Sequence, residues 1–419
     1  MKRRLAGVLL VLLLLAAGVA ALNFRDEDAI AETTAPWQST PEQVAQGAYL
    51  ARAGNCMGCH TARGGQPYAG GRGIETPFGT VYTSNLTPDA ATGLGRWTSA
   101  HFWRALHNGR SRDGRLLYPA FPYTSYTLVT REDADALYAY LRSLPPVAQP
   151  NRPHGLGFPF DTQAALAVWR ALYFSPGRPL HDAEQSAEWN RGAYLVQGLG
   201  HCNACHASRN ALGATSSRLD LGGGLIPMQN WYAPSLNDPH EAGVAEWAPQ
   251  QVVDLLKNGI NAQASVLGPM GEVVAGSTQY LAEADLQAMA AYLRALPTKP
   301  PSTLPPPTGP LSFDRGAKLY QQHCVQCHGE EGEGVAGIYP ALAGNRALTM
   351  ASTANLVRVV LEGGFAPSTA GNPRPFGMPP FATTLDNDEV AALLSHVRNA
   401  WGNRAAPVSA LEVSRYRGQ

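Results

Sequence analysis

All six cysteines of this 419-residue chain fall into three pairs of one form, each followed at once by histidine: Cys56-x-x-Cys59-His60, Cys202-x-x-Cys205-His206 and Cys324-x-x-Cys327-His328. Four chemistries compete for such a pattern. Zinc needs four ligands, and two knuckles that share one ion lie about 15–20 residues apart. Here the pairs are 146 and 122 residues apart, and no second H-x-x-x-H accompanies any of them. A thioredoxin-like redox pair belongs in an α/β pattern, which these stretches lack. Three short disulfides would leave three trailing histidines unexplained. Covalent haem attachment explains every residue: both thiols add to the vinyl groups of the macrocycle, and the adjacent histidine becomes the proximal ligand of the iron. The pattern therefore assigns Cys56, Cys59 and His60 to haem 1, Cys202, Cys205 and His206 to haem 2, and Cys324, Cys327 and His328 to haem 3, three covalently bound haems c in all.

The surroundings of the pairs repeat as well, which sets the domain count. Upstream stand QGAYLARAGNCMGCH (46–60), RGAYLVQGLGHCNACH (191–206) and RGAKLYQQHCVQCH (315–328), each a short helix carrying apolar residues one turn apart. Downstream, amphipathic segments at 96–110, 246–260 and 352–365 stop at Gly109, Gly259 and Gly363, where helices usually end. Closing helices follow at 133–145, 283–297 and 386–402, with Asp133 and Asp386 as expected N-caps and Pro145 and Pro297 as stops. The expected fold is all-α: three tandem cytochrome c-like domains at 37–148, 187–297 and 313–405. A linker at 149–186 carries an apolar helix (163–174) expected to pack between domains; a proline-rich linker spans 298–312 and a tail 406–419. Units of ~100 residues cannot bury a large core unaided, so the macrocycle itself would become core.

The N-terminus is a targeting segment. MKRR precedes an uninterrupted apolar run at 5–22, so residues 1–24 read as a signal peptide cleaved after Ala20 or Ala21, or as an N-terminal membrane anchor. Both place the remainder outside the cytoplasm, with the basic end inside. Lys+Arg and Asp+Glu both number 32, so charge gives no reason to expect nucleic acid as a partner.

Methionine on the far side of the iron raises a haem's potential. Met270 and Met378 lie between the second and third helices of their units, where a distal ligand is needed. Met289, inside a closing helix, reads as core, and Met228 and Met350 are less suited. In the first unit Phe121 falls at the matching position, 12 residues after Gly109 where Met270 is 11 after Gly259. Haem 1 then takes His101 or His107, takes another ligand, or stays open. Candidates for the carbonyl that orients each proximal histidine recur in YTSNL (82–86), YAPSL (232–236) and YPAL (339–342), where Ser84, Pro234 and Pro340 coincide.

With these stretches, and with TPFGTVYTSNLTPD, GRSRDGRLLYPAFPY, MQNWYAPSL, GSTQYL, MPPF and VRNAWGNRAAPV, the chain from about 40 to 415 resembles the tri-haem cytochrome c subunits of bacterial periplasmic membrane dehydrogenases. The resemblance implies Met270 and Met378 as axial ligands, and a Met where Phe121 stands. It implies electron transfer from a molybdopterin-, flavin- or PQQ-dependent catalytic subunit to quinone or a terminal oxidase, with no catalytic residue in this chain. A peroxidase-like or ligand-binding haem enzyme using an open haem 1 is the alternative.

Overall fold

Each repeat is pinned where its first helix crosses its last. In the first repeat α2 (Pro41–Ala53) packs on α4 (Arg131–Ser143), with α3 (Ser99–Asn108) between them in sequence. A Cβ on Gly47 would collide with the carbonyl of Ala136. In the second repeat α6 (Ala187–Ala193) packs on α9 (Glu283–Arg294), and Gly192 meets the carbonyl of Ala288 in the same way. In the third, α10 (Asp314–His323) packs on α12 (Asn387–Val397), and Gly316 meets Ala392. Only a residue without a side chain lets two backbones approach so closely, which is why Gly-Ala recurs at 47–48, 192–193 and 316–317.

The computed structural model describes residues 2–25, 27, 29–30, 37–215, 217, 219–299 and 313–417. Most of the proline-rich linker expected at 298–312, and the last two residues of the tail, lie outside them. The chain divides into two compact bodies: residues 1–183 with 194–204 and 209–219, and residues 184–193 with 205–208 and 220–419.

The first body opens with α1 (Lys2–Phe24), which is long and apolar enough to cross a membrane and has none of its apolar stretch buried. At about 1.5 Å per residue its 23 residues reach across a hydrocarbon core. Its end is tied down: Asn23 is buried and donates to the Ala167 carbonyl at 2.8 Å, and Arg110 pairs with Glu27 at 2.8 Å. Ala167 lies on α5 (Gln163–Tyr173), the expected apolar helix, whose buried edge of Leu166, Arg170 and Phe174 faces this end of α1. The core of the first repeat holds Leu50, Leu137, Tyr138 and Leu141. Fully burying a leucine contributes about 2 kcal/mol. In the second body the third repeat builds its core from Tyr320, Val357, Leu361, Val390 and Leu394.

Helix ends follow the sequence closely, although α12 stops at Val397, short of the expected 402, and one cap needs correction. Gly109 and Gly259 close α3 and α7 (Pro249–Asn258) at φ 58° and 76°, and Gly363 closes α11 (Ala354–Glu362) at φ 65°. Asp386 caps α12 with Glu389 in a reciprocal box. Asp133 is not the cap of α4: Thr130, three residues earlier, is extended there and its hydroxyl accepts from the Asp133 amide at 3.1 Å. The Asp133 carboxylate accepts instead from the hydroxyl of Tyr194.

The all-α expectation needs a second correction. Antiparallel ribbons of two to four residues follow the attachment motifs: β1 (Gly73–Thr76) with β2 (Gly79–Tyr82) and β3 (Gly155–Leu156), and β4 (Gly224–Ile226) with β5 (Trp231–Ala233). A third ribbon, β6 (Gly364–Phe365) with β7 (Gly377–Met378), leads to the expected methionine. Strands this short carry too few residues to show a period of two. The second repeat also has one more residue between its crossing glycine and first cysteine than the first repeat has. The stretch Tyr194–Leu199 is π-helical and takes up such an insertion.

Candidate haem centres

Each attachment pair sits at a single helical turn, its first cysteine on the turn or directly before it. Cys56–Cys59 is one turn, and the His60 amide donates to the Cys56 carbonyl at 2.9 Å. In the third repeat the His328 amide donates to the Cys324 carbonyl at 3.0 Å. In the second, the turn Asn203–His206 carries Cys205 and His206. Cysteines three apart on a turn face one way, as attachment to one edge of a macrocycle requires. Burial and then the neighbouring Cys59 push the Cys56 thiol up to about 12; burial and then Cys327 push Cys324 up to about 11.

The three imidazoles are held alike. His60 Nδ1–H donates to the Ser84 carbonyl at 2.7 Å, His206 to Pro234 at 2.7 Å, and His328 to Pro340 at 3.0 Å. These are the carbonyls expected from the sequence. A carbonyl can only accept, so the Nδ1 nitrogen must carry the proton, which leaves the Nε2 lone pair for iron. Burial lowers the pKa of all three rings, against a smaller raising effect of the carbonyl bond, and so favours the neutral form that ligates.

One part of this arrangement was invisible in the sequence. The carbonyl of each proximal histidine accepts an amide from a glycine: Gly70 at 2.8 Å, Gly223 at 2.9 Å and Gly334 at 2.8 Å. All three are left-handed, at φ 74°, 78° and 63°. A Cβ on each would run into backbone at or beside the orienting carbonyl: Ser84, Ser235 beside Pro234, and Tyr339 with Pro340. Each glycine thus closes a loop between the histidine and its acceptor. The spacing from the histidine varies, so no motif announces it. Two arginines were missed for the same reason: Arg72 donates to the Gly58 carbonyl at 2.5 Å and Arg209 to that of Ala204, the residue before the second cysteine in each case.

The distal positions differ. In the first repeat the Leu117 amide donates to the Gly109 carbonyl at 2.8 Å; in the second, Val266 donates to Gly259 at 2.8 Å. Four residues beyond each bond stand Phe121 and Met270, so the backbone itself equates them. Met270 is the second residue of α8 (Pro269–Gly276), while the Phe121 ring lies 5.4 Å from that of Tyr126. Met378 pairs with Gly364 in the third ribbon and packs on the same buried cluster as Cys324. Met289 is core, as expected. His101 and His107 have local roles: His101 Nδ1 accepts from the Thr98 amide at 3.2 Å in the cap of α3, and His107 stacks on Trp103 with ring centres 4.6 Å apart.

The first two attachment segments abut. The Gly54 carbonyl, two residues before Cys56, accepts from His201 Nε2, one residue before Cys202, and from the Tyr126 hydroxyl, both at 3.3 Å. Ser125 and Asn203 are joined at 2.9 Å nearby.

Thiol pairs on a turn and a histidine held in its iron-binding tautomer define a c-type cytochrome. The cytochrome c family model matches residues 44–145 and 313–401. The chain is 39% identical over 393 residues to the cytochrome c subunit of alcohol dehydrogenase (quinone) from Gluconacetobacter polyoxogenes, covering 89% of this chain and 84% of that one. It is 35% identical over 399 residues to the gluconate 2-dehydrogenase cytochrome c subunit of Pantoea cypripedii, covering 91% and 90%. A nicotinate dehydrogenase component from Pseudomonas putida matches at 39% over 391 residues, 90% of this chain and 32% of that protein. The chain belongs to the cytochrome c subunits of dehydrogenase complexes, and it is an electron-transfer subunit rather than a catalytic one.

Proposed function

We propose that the chain holds three haems c and carries electrons from a dehydrogenase catalytic subunit to quinone or a terminal oxidase at the periplasmic face of the inner membrane, with α1 as its anchor. The observation that carries this reading is the threefold recurrence of one geometry, histidine Nδ1 on a carbonyl behind a cysteine pair. Cys56, Cys59 and His60, Cys202, Cys205 and His206, and Cys324, Cys327 and His328 would hold the groups, with Met270 and Met378 as distal ligands. Bound haem supplies reversible one-electron chemistry. The protein's own part is to fix each imidazole and keep it neutral.

The names of the relatives range over gluconate, alcohol and nicotinate dehydrogenases, and the resemblance of the sequence puts the partner's cofactor in the flavin, PQQ or molybdopterin class. Pyridine haemochrome and intact mass on matured protein are expected to give three haems per chain; two or fewer would end the assignment. Deleting residues 5–22 behind a cleavable signal is expected to yield protein that alkaline carbonate strips from membranes. Resistance after that deletion would place the anchor elsewhere.

A further inference from the structure

The helix α5 is built inside out. Between Gln163 and Tyr173 its one charged residue is Arg170, and that residue is 3% exposed. The Arg170 guanidinium turns inward, donating to the Asn23 side chain at 2.9 Å and lying over the Phe174 ring at 4.8 Å. The opposite row, Ala164–Val168–Leu172, and the flanking row, Ala165–Trp169–Tyr173, carry no charge at all, and the Trp169 indole donates to the Leu212 carbonyl at 2.9 Å. Val168 is 47% exposed and Leu172 64%. A helix on the water-facing surface of a soluble protein shows the reverse, apolar side in and charges out. Contiguous apolar surface of this kind marks an interaction site.

Its position names the occupant. The buried edge of α5 lies on the last turn of α1: Asn23 donates to Ala167, and Arg25 donates to the Phe174 carbonyl at 2.5 Å and to the Ser175 hydroxyl at 2.7 Å. The exposed apolar surface of α1 runs on through Leu22 and Phe24 up to this junction. The outer face of α5 therefore starts where the spanning helix leaves the hydrocarbon, and it continues the same apolar surface. Trp169 and Tyr173, with ring centres 5.6 Å apart, are the residue types that favour the headgroup level.

We infer that α5 is a second membrane contact, lying in the headgroup–acyl boundary of the phospholipid bilayer with Val168, Leu172 and Tyr173 toward lipid. This rests on α1 as the anchor. Interfacial helices usually spread basic residues along their outer flank. Here the one cation ties the helix to the anchor, so binding is by apolar contact.

The test uses full-length holoprotein in nanodiscs of phosphatidylcholine and phosphatidylglycerol, with no partner subunit. Native cysteines are consumed by thioethers, so Leu172→Cys, or Val168→Cys should the first mature poorly, gives one site for a nitroxide label. Its accessibility to oxygen and to a water-soluble nickel chelate is compared with labels at Leu13→Cys in α1 and at the exposed position Glu132→Cys in the first turn of α4. The expected result is oxygen-favoured accessibility at Leu172, as at Leu13, and nickel-favoured accessibility at Glu132. Nickel-favoured accessibility at Leu172 overturns the inference. If that label is then shielded by adding the catalytic subunit, the face belongs to a protein partner instead. The Leu13 label judges the anchor separately: a water-exposed Leu13 with a lipid-exposed Leu172 removes the anchor and keeps α5 on the membrane.

Discussion

The first and second repeats use the same frame and differ at the point that matters electronically. Both cross at a glycine, both hold histidine Nδ1 on a carbonyl at 2.7 Å, and both measure four residues from an equivalent backbone bond to the distal position. There one presents Met270 and the other Phe121. On the proposed ligation, the frame that fixes the proximal side is separable from the residue that faces it, and a potential would be reset by one side chain while the attachment machinery stays untouched. Thioether ligation favours reduced iron, whereas a phenyl ring offers no lone pair.

The comparison breaks most visibly at sulfur. Met270→Ala and Met378→Ala should each remove one low-spin Met-ligated signal and lower that centre's potential by on the order of 0.1 V or more, well inside the ~0.8 V that axial ligation spans. Phe121→Ala should leave both Met signals in place. Spectra and redox titrations that do not change in the Met variants would make those residues core only. The converse change, Phe121→Met, should add a third Met-type signal, because the backbone already equates the two positions. If wild-type protein shows three such signals, the equivalence fails. Should the first centre be low-spin without methionine, replacing His101 and then His107 shows whether either is its ligand.

Smaller effects test the shared frame. Gly70→Ala and Gly223→Ala should each destabilise by about 1–3 kcal/mol, from left-handed strain and collision with backbone, and should broaden the spectrum of the adjacent centre. The two losses should match, since the two loops do the same task. Gly47→Ala and Gly192→Ala should cost about 1–3 kcal/mol by forcing the crossing helices apart, with both spectra intact. Denaturant midpoints and visible spectra measured together separate the two pairs of variants. A spectral change at Gly47→Ala equal to that at Gly70→Ala would show that the frame and the site are not separable.

Much of this was legible because it repeats. Cysteine pairs, helix-ending glycines and the Ser84, Pro234 and Pro340 carbonyls keep their places relative to fixed neighbours, so alignment within one chain finds them. Gly70, Gly223 and Gly334 do the same job at unequal distances from their histidines, and only coordinates bring them together. Asp133 reads as a cap because Asp is among the residues favoured at the N-cap. Thr130 shares that preference and stands at the actual entry. The helix α5 was legible as apolar, but not as inverted, because its arginine reads as a surface residue until Asn23 and Phe174 are seen around it.

The bonds from Leu117 to Gly109 and from Val266 to Gly259 have a bearing on how such chains tolerate change in length. The first repeat has one residue more than the second between glycine and bond, and none more between the bond and the distal residue. The bond works as a datum: slack is taken up on one side of it and the distal residue is set out from the other. Insertions at 112–115 should therefore behave as ordinary loop extensions, while a single residue added at 118–120 would set a different side chain at the position proposed to face His60.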